Sequence, residues 1–387
     1  MRMRKLLRSF KTEIKPTPEQ ASLIRQTIGV CRYVYNFYIA RNKEVYEKEK
    51  AFVSGMDFSK WLNNEYLSNH PEYGWIKEAS SKSVKKSIMN AEAAFKRFFK
   101  GLGNFPRFKR KGKSDVKMYF VRNGAKSPIE CERHRIKIPT LGWVRFKEKG
   151  YIPTDDSIRS GTVSIRAGRY YVSVLADVPQ DTEIVADGRP IGIDLGIKEF
   201  AVCSDGVIYK NINKTKEVFR LERKLRREQR RLSRKFENKK KGGATQGRNI
   251  ERQKLEVQRI HARLDNIRTD YINKVVSRTV KAKPSHVTIE NLNIRGMMRN
   301  RHLSKAVASQ KFFEFRTKLT DKCHQFGTEL RIADRWFPSS KVCHECGCVK
   351  VDLKLSDRVY GCECGYVADR DYNASLNLRD CVDYEVA

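Results

Sequence analysis

The sequence predicts two mixed α and β parts: a β-rich N-terminal part interrupted by helices, then an α/β part holding a small cysteine ribbon. Three observations predict this. Short alternating runs crowd residues 115–178, as in VKMYFV, HRIKIP, WVRFKE and RYYVSVLADV. From residue 191 onward, apolar strand-like runs alternate with long helical stretches. Four of the ten cysteines form two close pairs, Cys343 with Cys346 and Cys362 with Cys364. Such spacing suits a metal knuckle, whereas a disulfide framework would be denser and its chain shorter.

At about 150 residues per domain, 387 residues predict two or three domains, and a hydrophobic content of 40% allows a sizeable core. Lys and Arg number 80 against 45 Asp and Glu, a net charge of +35. That surplus repels itself unless a polyanion neutralises it, so nucleic acid is expected ahead of a membrane surface or an acidic protein. No run approaches the ~18 apolar residues of a membrane span. The start, MRMRKLLRSFKTEIKPTPEQ, has no apolar core or cleavage site, so a secretory signal is not expected. The cysteine usage points to a reducing compartment.

Along the chain, residues 1–15 alternate loosely and read as one strand. Residues 17–45 read as a helix, with Thr17 to cap, Pro18 in the first turn and Glu19 behind it. Within it, Tyr33, Phe37 and Arg41 fall at helical spacing, which suits core packing or base stacking. Residues 79–100 read as a second helix. Val84, Ile88, Ala91, Phe95 and Phe98 form its apolar stripe, and Lys82, Lys85, Lys86, Lys96 and Arg97 its basic face. The run NFPRFKRKGK follows at 104–113 and interleaves Phe105 and Phe108 with Arg107, Lys109, Arg110 and Lys111. Basic groups track phosphates and exposed rings stack bases, so this run is a candidate nucleic-acid contact.

The alternating runs of 115–178 read as an antiparallel sheet or small barrel, and the polar 181–190 as a linker. Residues 191–209 read as a three-strand meander with an SDG turn. Residues 216–240 and 248–282 read as two long helices. From Lys216 to Arg263 there are 18 Lys/Arg against 6 Asp/Glu, so an antiparallel pair with a basic outer face is expected. Leu221, Leu225 and Leu232, then Ile260, Leu264 and Ile267, supply its apolar stripes. Residues 285–294 read as a strand, 303–326 as a helix and 328–337 as a strand.

Two constellations carry chemistry. Cys343-x2-Cys346, a 15-residue gap and Cys362-x-Cys364 approach the two-knuckle spacing of a structural zinc ribbon, with Gly347 and Gly365 after the pairs. The one-residue second knuckle is short, and Cys348 and His344 stand by as substitutes. The second constellation is acidic. Asp194 sits between apolar residues in IGIDLG, Glu290 ends a strand in VTIENL, and Asp369 and Asp371 open a helical run. An acid in an apolar strand is costly to bury unless a cation pairs with it. Singly, these acids also fit a nucleotide-binding turn, a strand-end ion pair and a helix cap. Together, in this order and with a meander after the first, they form the pattern of a ribonuclease-H-like nuclease core. Two Mg²⁺ ions would suit such oxygen ligands.

GIDLG, IENLN, WFPSSKVCHECG and CECGYVADRDYNASLNL together resemble the TnpB family, transposon-encoded relatives of type V CRISPR effectors. The resemblance covers nearly the whole chain and is most specific from residue 190. It implies a Mg²⁺-dependent, RNA-guided DNA endonuclease, with a guide RNA and double-stranded DNA as partners and a prokaryotic cytoplasmic location at the nucleoid. It implies a wedge-like β-barrel over 1–15 and 111–180 and a helical recognition domain over 16–110. A RuvC-like nuclease over 190–342 and 366–387 would carry a zinc ribbon at 343–365. By motif, Asp194, Glu290 and Asp371 match the catalytic acids, with Asp369 in reserve, and Cys343, Cys346, Cys362 and Cys364 match the zinc ligands. A guided repressor that does not cut and a transposase that acts directly on DNA strands are the rival readings.

Overall fold

The structure, a computed structural model, describes residues 5–122, 129–154, 158–179, 186–242, 247–354 and 356–387. It divides into two compact units, Met1–Gln180 and Asp181–Ala387.

The first unit begins with strand β1 (Lys5–Lys15) and helix α1 (Pro18–Glu49). Thr17 and Gln20 form a capping box: the Gln20 amide donates to the Thr17 hydroxyl at 3.3 Å, and the Thr17 amide to Gln20 Oε1 at 3.0 Å. After α1 come α2 (Gly55–Trp61), a π-turn (Leu62–Tyr66), the single turn α3 (Leu67–Asn69), a 3-10 stretch (Pro71–Glu78) and α4 (Ser81–Phe99). Val34 and Tyr38 of α1 are packed with Phe58, Leu62, Ile88, Ala91 and Phe95 in one helical core.

The chain then returns to the sheet as β2 (Met118–Val121), β3 (Glu130–Cys131), β4 (Arg135–Ile138), β5 (Gly142–Phe146), β6 (Ile158–Arg166) and β7 (Arg169–Pro179). The order is β2-β6-β7-β1-β5-β4-β3, and every pairing is antiparallel. Met118 and Phe120 of one edge strand share a single core with Cys131 of the other, so the sheet curls around that core. The helices are thus an insertion between β1 and β2. Gln20 Nε2 ties α1 to the sheet through the carbonyls of Leu141 at 2.9 Å and Trp143 at 3.0 Å.

The second unit opens with the antiparallel meander β8 (Ile191–Leu195), β9 (Glu199–Cys203) and β10 (Ile208–Lys210). Gly206, at φ 83°, makes its tight turn. Helices α5 (Lys216–Lys240) and α6 (Gly247–Lys281) run antiparallel, with Val218, Ile260 and Leu264 buried between them. Then come β11 (His286–Ile289), α7 (Ile294–Arg299), α8 (Ser304–Gln310), α9 (Phe312–Phe326) and β12 (Glu329–Ala333). The short pair β13 (Val359–Gly361) and β14 (Val367–Asp369) precedes α10 (Arg370–Arg379) and β15 (Tyr384–Val386).

The main sheet is ordered β10-β9-β8-β11-β12-β15. β8, β11 and β12 are parallel, and the other pairings are antiparallel. Ile191, Ile193, Val287, Ile289, Leu330 and Ile332 meet α6 and α9 in one core through Ile272, Val276, Phe315 and Leu319. Alternation along β8 turns Gly192 and Asp194 to the other face, where α10 packs on the strand. A Cβ on Gly192 would run into the Ser375 carbonyl oxygen and the Arg379 amide of α10. Glycine is therefore required there for close approach.

Three expectations shift. The helix over 303–326 is two helices, because Lys311 adopts a left-handed turn at φ 57°. Its ammonium leaves the helix line to reach Asp265 Oδ1 at 2.8 Å, Thr269 Oγ1 at 2.7 Å and the Glu314 carboxylate. The strand over 328–337 ends at Ala333, where the Asp334 carboxylate accepts the Trp336 amide at 2.8 Å and turns the chain. The strand over 285–294 ends at Ile289, and Asn293, whose Oδ1 accepts the Gly296 amide at 3.0 Å, caps α7.

Candidate active site and metal centre

Both constellations lie in the second unit. In the ribbon, the first knuckle closes by Gly347 N–H to Cys343 O at 2.9 Å, and the second by Gly365 N–H to Cys362 O at 3.0 Å. Gly347 and Gly365 take φ values of 74° and 90°. An added Cβ would meet nothing within 4 Å at either, so backbone conformation, not space, demands glycine. The thiols of Cys343, Cys346, Cys362 and Cys364 all lie within 4.8 Å of one another. Cys343 and Cys364 are 3.7 Å apart, and Cys346 and Cys362 are 3.5 Å apart. A tetrahedron with Zn–S bonds of about 2.3 Å has sulfur edges of about 3.8 Å. The short second knuckle therefore still supplies a zinc-sized cage, and this four-cysteine cluster could hold zinc. The thiols titrate as one group: the Cys364 amide and neighbouring thiols pull the Cys362 thiol down to about 7, while the other thiols push Cys364 up to about 12. The cluster forms without either substitute: Cys348 is exposed and gives its carbonyl to the Cys343 amide at 2.9 Å, and His344 Nδ1 faces Asp380 Oδ2 at 3.9 Å.

Asp194 lies on β8, Glu290 directly follows β11, and Asp371 is the second residue of α10. Burial pushes the Asp194 carboxyl well above the usual carboxylate range, and the charges of Glu290 and Asp371 push it further; Arg370 offsets part of this. Glu290 is raised by burial and by Asp371, against a 2.7 Å hydrogen bond donated by Ser339 Oγ. Asp194 therefore feels both of the other acids, and Glu290 feels Asp371. They are not gathered as tightly as the thiols: among the described residues, only the cysteines bring three or more ligand atoms within 4.8 Å. The Asp371 carboxylate is turned to the guanidiniums of Arg370 at 3.0 Å and Arg358 at 3.8 Å. Mutually repelling carboxylates from three elements, held apart by hydrogen bonds and guanidiniums, suit a site completed by hard cations.

Asp369 has a different occupation. It is the N-cap of α10, and its Oδ1 accepts the amides of Asp371 at 2.9 Å and Tyr372 at 3.1 Å.

Three polar residues had no distinct sequence signal: Ser339, Asn373 and Asn377. All are buried. Asn373 Nδ2 donates to Val342 O at 2.7 Å, and its Oδ1 accepts the His344 amide at 3.2 Å. Asn377 Nδ2 donates to the carbonyls of Ser339 and Val342, both at 2.7 Å. They stitch α10, which carries Asp371, to the segment entering the first knuckle. They lie inside the runs WFPSSKVCHECG and CECGYVADRDYNASLNL, where the spacing of four between Asn373 and Asn377 puts both on one helix face.

The N-terminal candidates lie in the first unit. Tyr33 and Phe37 are half-buried in an aromatic cluster. Tyr33 packs on Tyr73 and Trp75, and Phe37 on Phe58, Trp61 and Tyr66. Phe105 and Phe108 are exposed, Phe105 standing edge-on to Phe95 and Phe98. Arg107, Arg110 and Lys111 are exposed beside them. Asn36 of α1 holds this loop, donating to Lys109 O at 3.0 Å and accepting the Lys109 amide at 2.7 Å. Lys109 Nζ lies over the Tyr35 ring at 5.1 Å. Lys86, Arg97, Lys109 and Lys117 line a cavity of about 440 Å³ with Tyr35 and Tyr119. Among the described residues, no helix is long and apolar enough to cross a membrane.

The second unit thus joins an α/β sheet to a four-cysteine ribbon that precedes its last helix. A cryo-EM structure of a Cas12f1–sgRNA–target DNA complex superposes with a TM-score of 0.62, covering 97% of this chain and 99% of that one at 13% identity, a likeness of fold. The family model OrfB_IS605, described as "Probable transposase", matches residues 173–301, and "Cas12f1-like, TNB domain" matches 312–378. A "Helix-turn-helix domain" model matches 3–51, which here is β1 followed by the single helix α1. A protein of Streptomyces pristinaespiralis named "Putative RNA-guided DNA endonuclease" is 31% identical over 97% of this chain and 89% of its own length. "Putative RNA-guided DNA endonuclease InsQ" of Escherichia coli K12 is 28% identical over 97% and 92%. The chain belongs to the TnpB family of these OrfB_IS605-type proteins.

Proposed function

We infer that the chain is an RNA-guided DNA endonuclease that hydrolyses phosphodiester bonds beside a short flanking motif. The observation that carries this reading is that the chain is 31% identical over 97% of its length to a protein named as such a nuclease, with a half-buried Asp194 that senses the charges of Glu290 and Asp371 from two other elements. Base pairing with a guide RNA would select the double-stranded DNA target, and the protein would read only the flanking motif and backbone shape. The net charge of +35 suits both polyanions.

The nuclease is of the RuvC type in this reading, with Asp194, Glu290 and Asp371 holding two Mg²⁺ ions. When bound, the ions supply an activated water and neutralise charge at the leaving oxygen. The chain's own contribution is to hold the carboxylates: Ser339 orients Glu290, the Asp369 cap fixes the helix that carries Asp371, and the packing of α10 on β8 keeps Asp194 half-buried. Zinc in the ribbon is structural, since four thiolates leave no open position. The sheet of the first unit acts as the wedge-like barrel (1–15 and 111–180) and its inserted helices as the recognition domain (16–110). Residues 190–342 and 366–387 form the nuclease, and 343–365 the ribbon. The exposed 104–113 loop and the basic cavity beside it suit backbone contact. The reading places the protein in a prokaryotic cytoplasm, at the nucleoid. The name "Probable transposase" favours a second reading, direct strand joining; its joined products would distinguish it.

The test is cleavage. The chain is expressed with its own flanking DNA, purified with the RNA it retains, and retargeted to a plasmid library with randomised flanking sequence. Cuts in Mg²⁺ that follow the guide are expected, and the depleted plasmids reveal the motif. Asp371→Asn should slow cutting at least about a thousandfold. Asp369→Asn should cut nearly normally, because Asn caps a helix as well as Asp does. The reverse ranking would assign the third acid to Asp369. Guided binding without cuts by the unaltered chain would overturn the nuclease reading in favour of a repressor.

A further inference from the structure

The geometry points to Trp336, with Arg335, as a stacking post for an unpaired DNA strand entering the Asp194–Glu290–Asp371 site; this rests on the nuclease reading above. Trp336 is 85% exposed. It makes no ring contact or side-chain hydrogen bond among the described residues, and Arg335 is exposed with no ion pair among them. The other tryptophans differ. Trp61 and Trp143 are half-buried, each with an arginine over its ring, and Trp75 packs on Tyr33 and Tyr73.

The backbone that presents Trp336 is locked. The Asp334 carboxylate accepts the Trp336 amide at 2.8 Å, Asp334 O accepts the Phe337 amide at 3.2 Å, and Phe337 O accepts the Ser339 amide at 2.9 Å. Phe337 packs inward on Ala333, Leu378 and Cys381. Ser339 is also buried and holds Glu290. One short turn thus points a hydroxyl at an acid of the site and an indole at solvent.

Only two residues lie between Trp336 and Ser339, so even fully extended their Cα atoms are at most about 10 Å apart. That is about three nucleotide steps of 3.4 Å each. The occupant is a single strand, because bases within a duplex are already stacked and offer an indole no face. An indole stacks on any base, which suits a protein whose target sequence is set by a guide rather than by side chains. Arg335 adds a cation for the adjoining phosphate. No residue of the metal-holding set is used, so Trp336 is a positioning residue for substrate.

The experiment uses the full chain with its guide RNA and has two arms. In the first, single-turnover cleavage of matched DNA is measured. Trp336→Ala should slow cutting about five- to a hundredfold, as loss of one stacked base predicts. Guided binding to duplex DNA should be unchanged, and Trp336→Tyr should recover most of the rate. In the second, tryptophan fluorescence is followed with Mg²⁺ omitted, no chelator present and the ribbon zinc kept, as a short oligo-dT is added. Quenching is expected for the unaltered chain and should vanish in Trp336→Phe, a variant whose melting temperature checks folding. If Trp336→Ala cuts at the normal rate while Asp194→Ala does not cut, the post is wrong and the nuclease stands. If the unaltered chain never cuts, the nuclease reading falls and the second arm decides alone. Quenching that persists in Trp336→Phe overturns the post.

Discussion

Replacing Asp194 by Asn is expected to stop cleavage and, without metal, to make the protein more stable. Asp194 is held under α10 with its carboxyl pushed well above the usual range by burial and by Glu290 and Asp371. A carboxyl raised in the folded state binds protons more tightly there than in the unfolded chain. Its contribution to stability therefore falls as pH rises from the ordinary carboxylate range through the raised folded value. At neutral pH the metal-free protein carries that penalty, and Asn removes it while keeping the shape. Relief of about 0.5–2 kcal/mol is typical when strain stored at an active site is removed. In a unit of this size that corresponds to a rise of about 1–8 °C. In Mg²⁺ the order should reverse, since only the unaltered protein gains binding energy from the ions. Melting with the ribbon zinc kept, Mg²⁺ omitted and no chelator present, and again in Mg²⁺, beside a cleavage assay, reads all three effects. A variant that melts lower without Mg²⁺ would mean that Arg370 already satisfies the carboxylate.

The second large effect is expected at the ribbon. Cys362→Ser removes one of four thiolates from a cage whose sulfurs lie 3.5–3.7 Å apart in the two closest pairs. Structural zinc contributes on the order of 10 kcal/mol to small zinc modules, so the knuckles should not persist without it. The ribbon is joined to α10 through β14 and through Asn373 and Asn377, so its loss frees the helix end that carries Asp371. Zinc content should fall from one per chain towards zero. Proteolysis should open within 343–365, and cleavage should drop tenfold or more while guided DNA binding persists. Unchanged zinc and unchanged cutting together would refute the ribbon as a clip for Asp371.

What the sequence disclosed followed physical type. Local signals were legible: Thr17–Pro18 marks the start of α1, the Val84–Phe95 stripe marks α4, and Asp205–Gly206 turns the meander. The uninterrupted apolar runs around Asp194 and before Glu290 became the central parallel strands β8 and β11, as strands covered on both faces should read. The four ribbon cysteines were legible because thiolates at knuckle spacing have few other uses. Less legible was anything set by a distant partner. Lys311 looks like a helical residue until Asp265, 46 positions away, is seen to hold its ammonium. Ser339, Asn373 and Asn377 look like loop and surface polar residues, yet they are buried and carry the bonds that orient the acids and the ribbon. Asp369 and Asp371 could not be ranked from spacing. The cap hydrogen bonds distinguish their surroundings, and the cleavage comparison is left to assign the role.

The contact at Gly192 bears on how such chains change over time. There the backbone of α10 rests directly on the backbone of β8, so the gap between the strand of Asp194 and the helix of Asp371 has no side chain to adjust it. Any larger residue would wedge the two apart while leaving every acid in place. A descendant could in this way keep a complete set of carboxylates and lose the ability to cut, passing from a scissor to a clamp by one substitution. Judging which relatives remain active therefore requires the glycine as well as the acids.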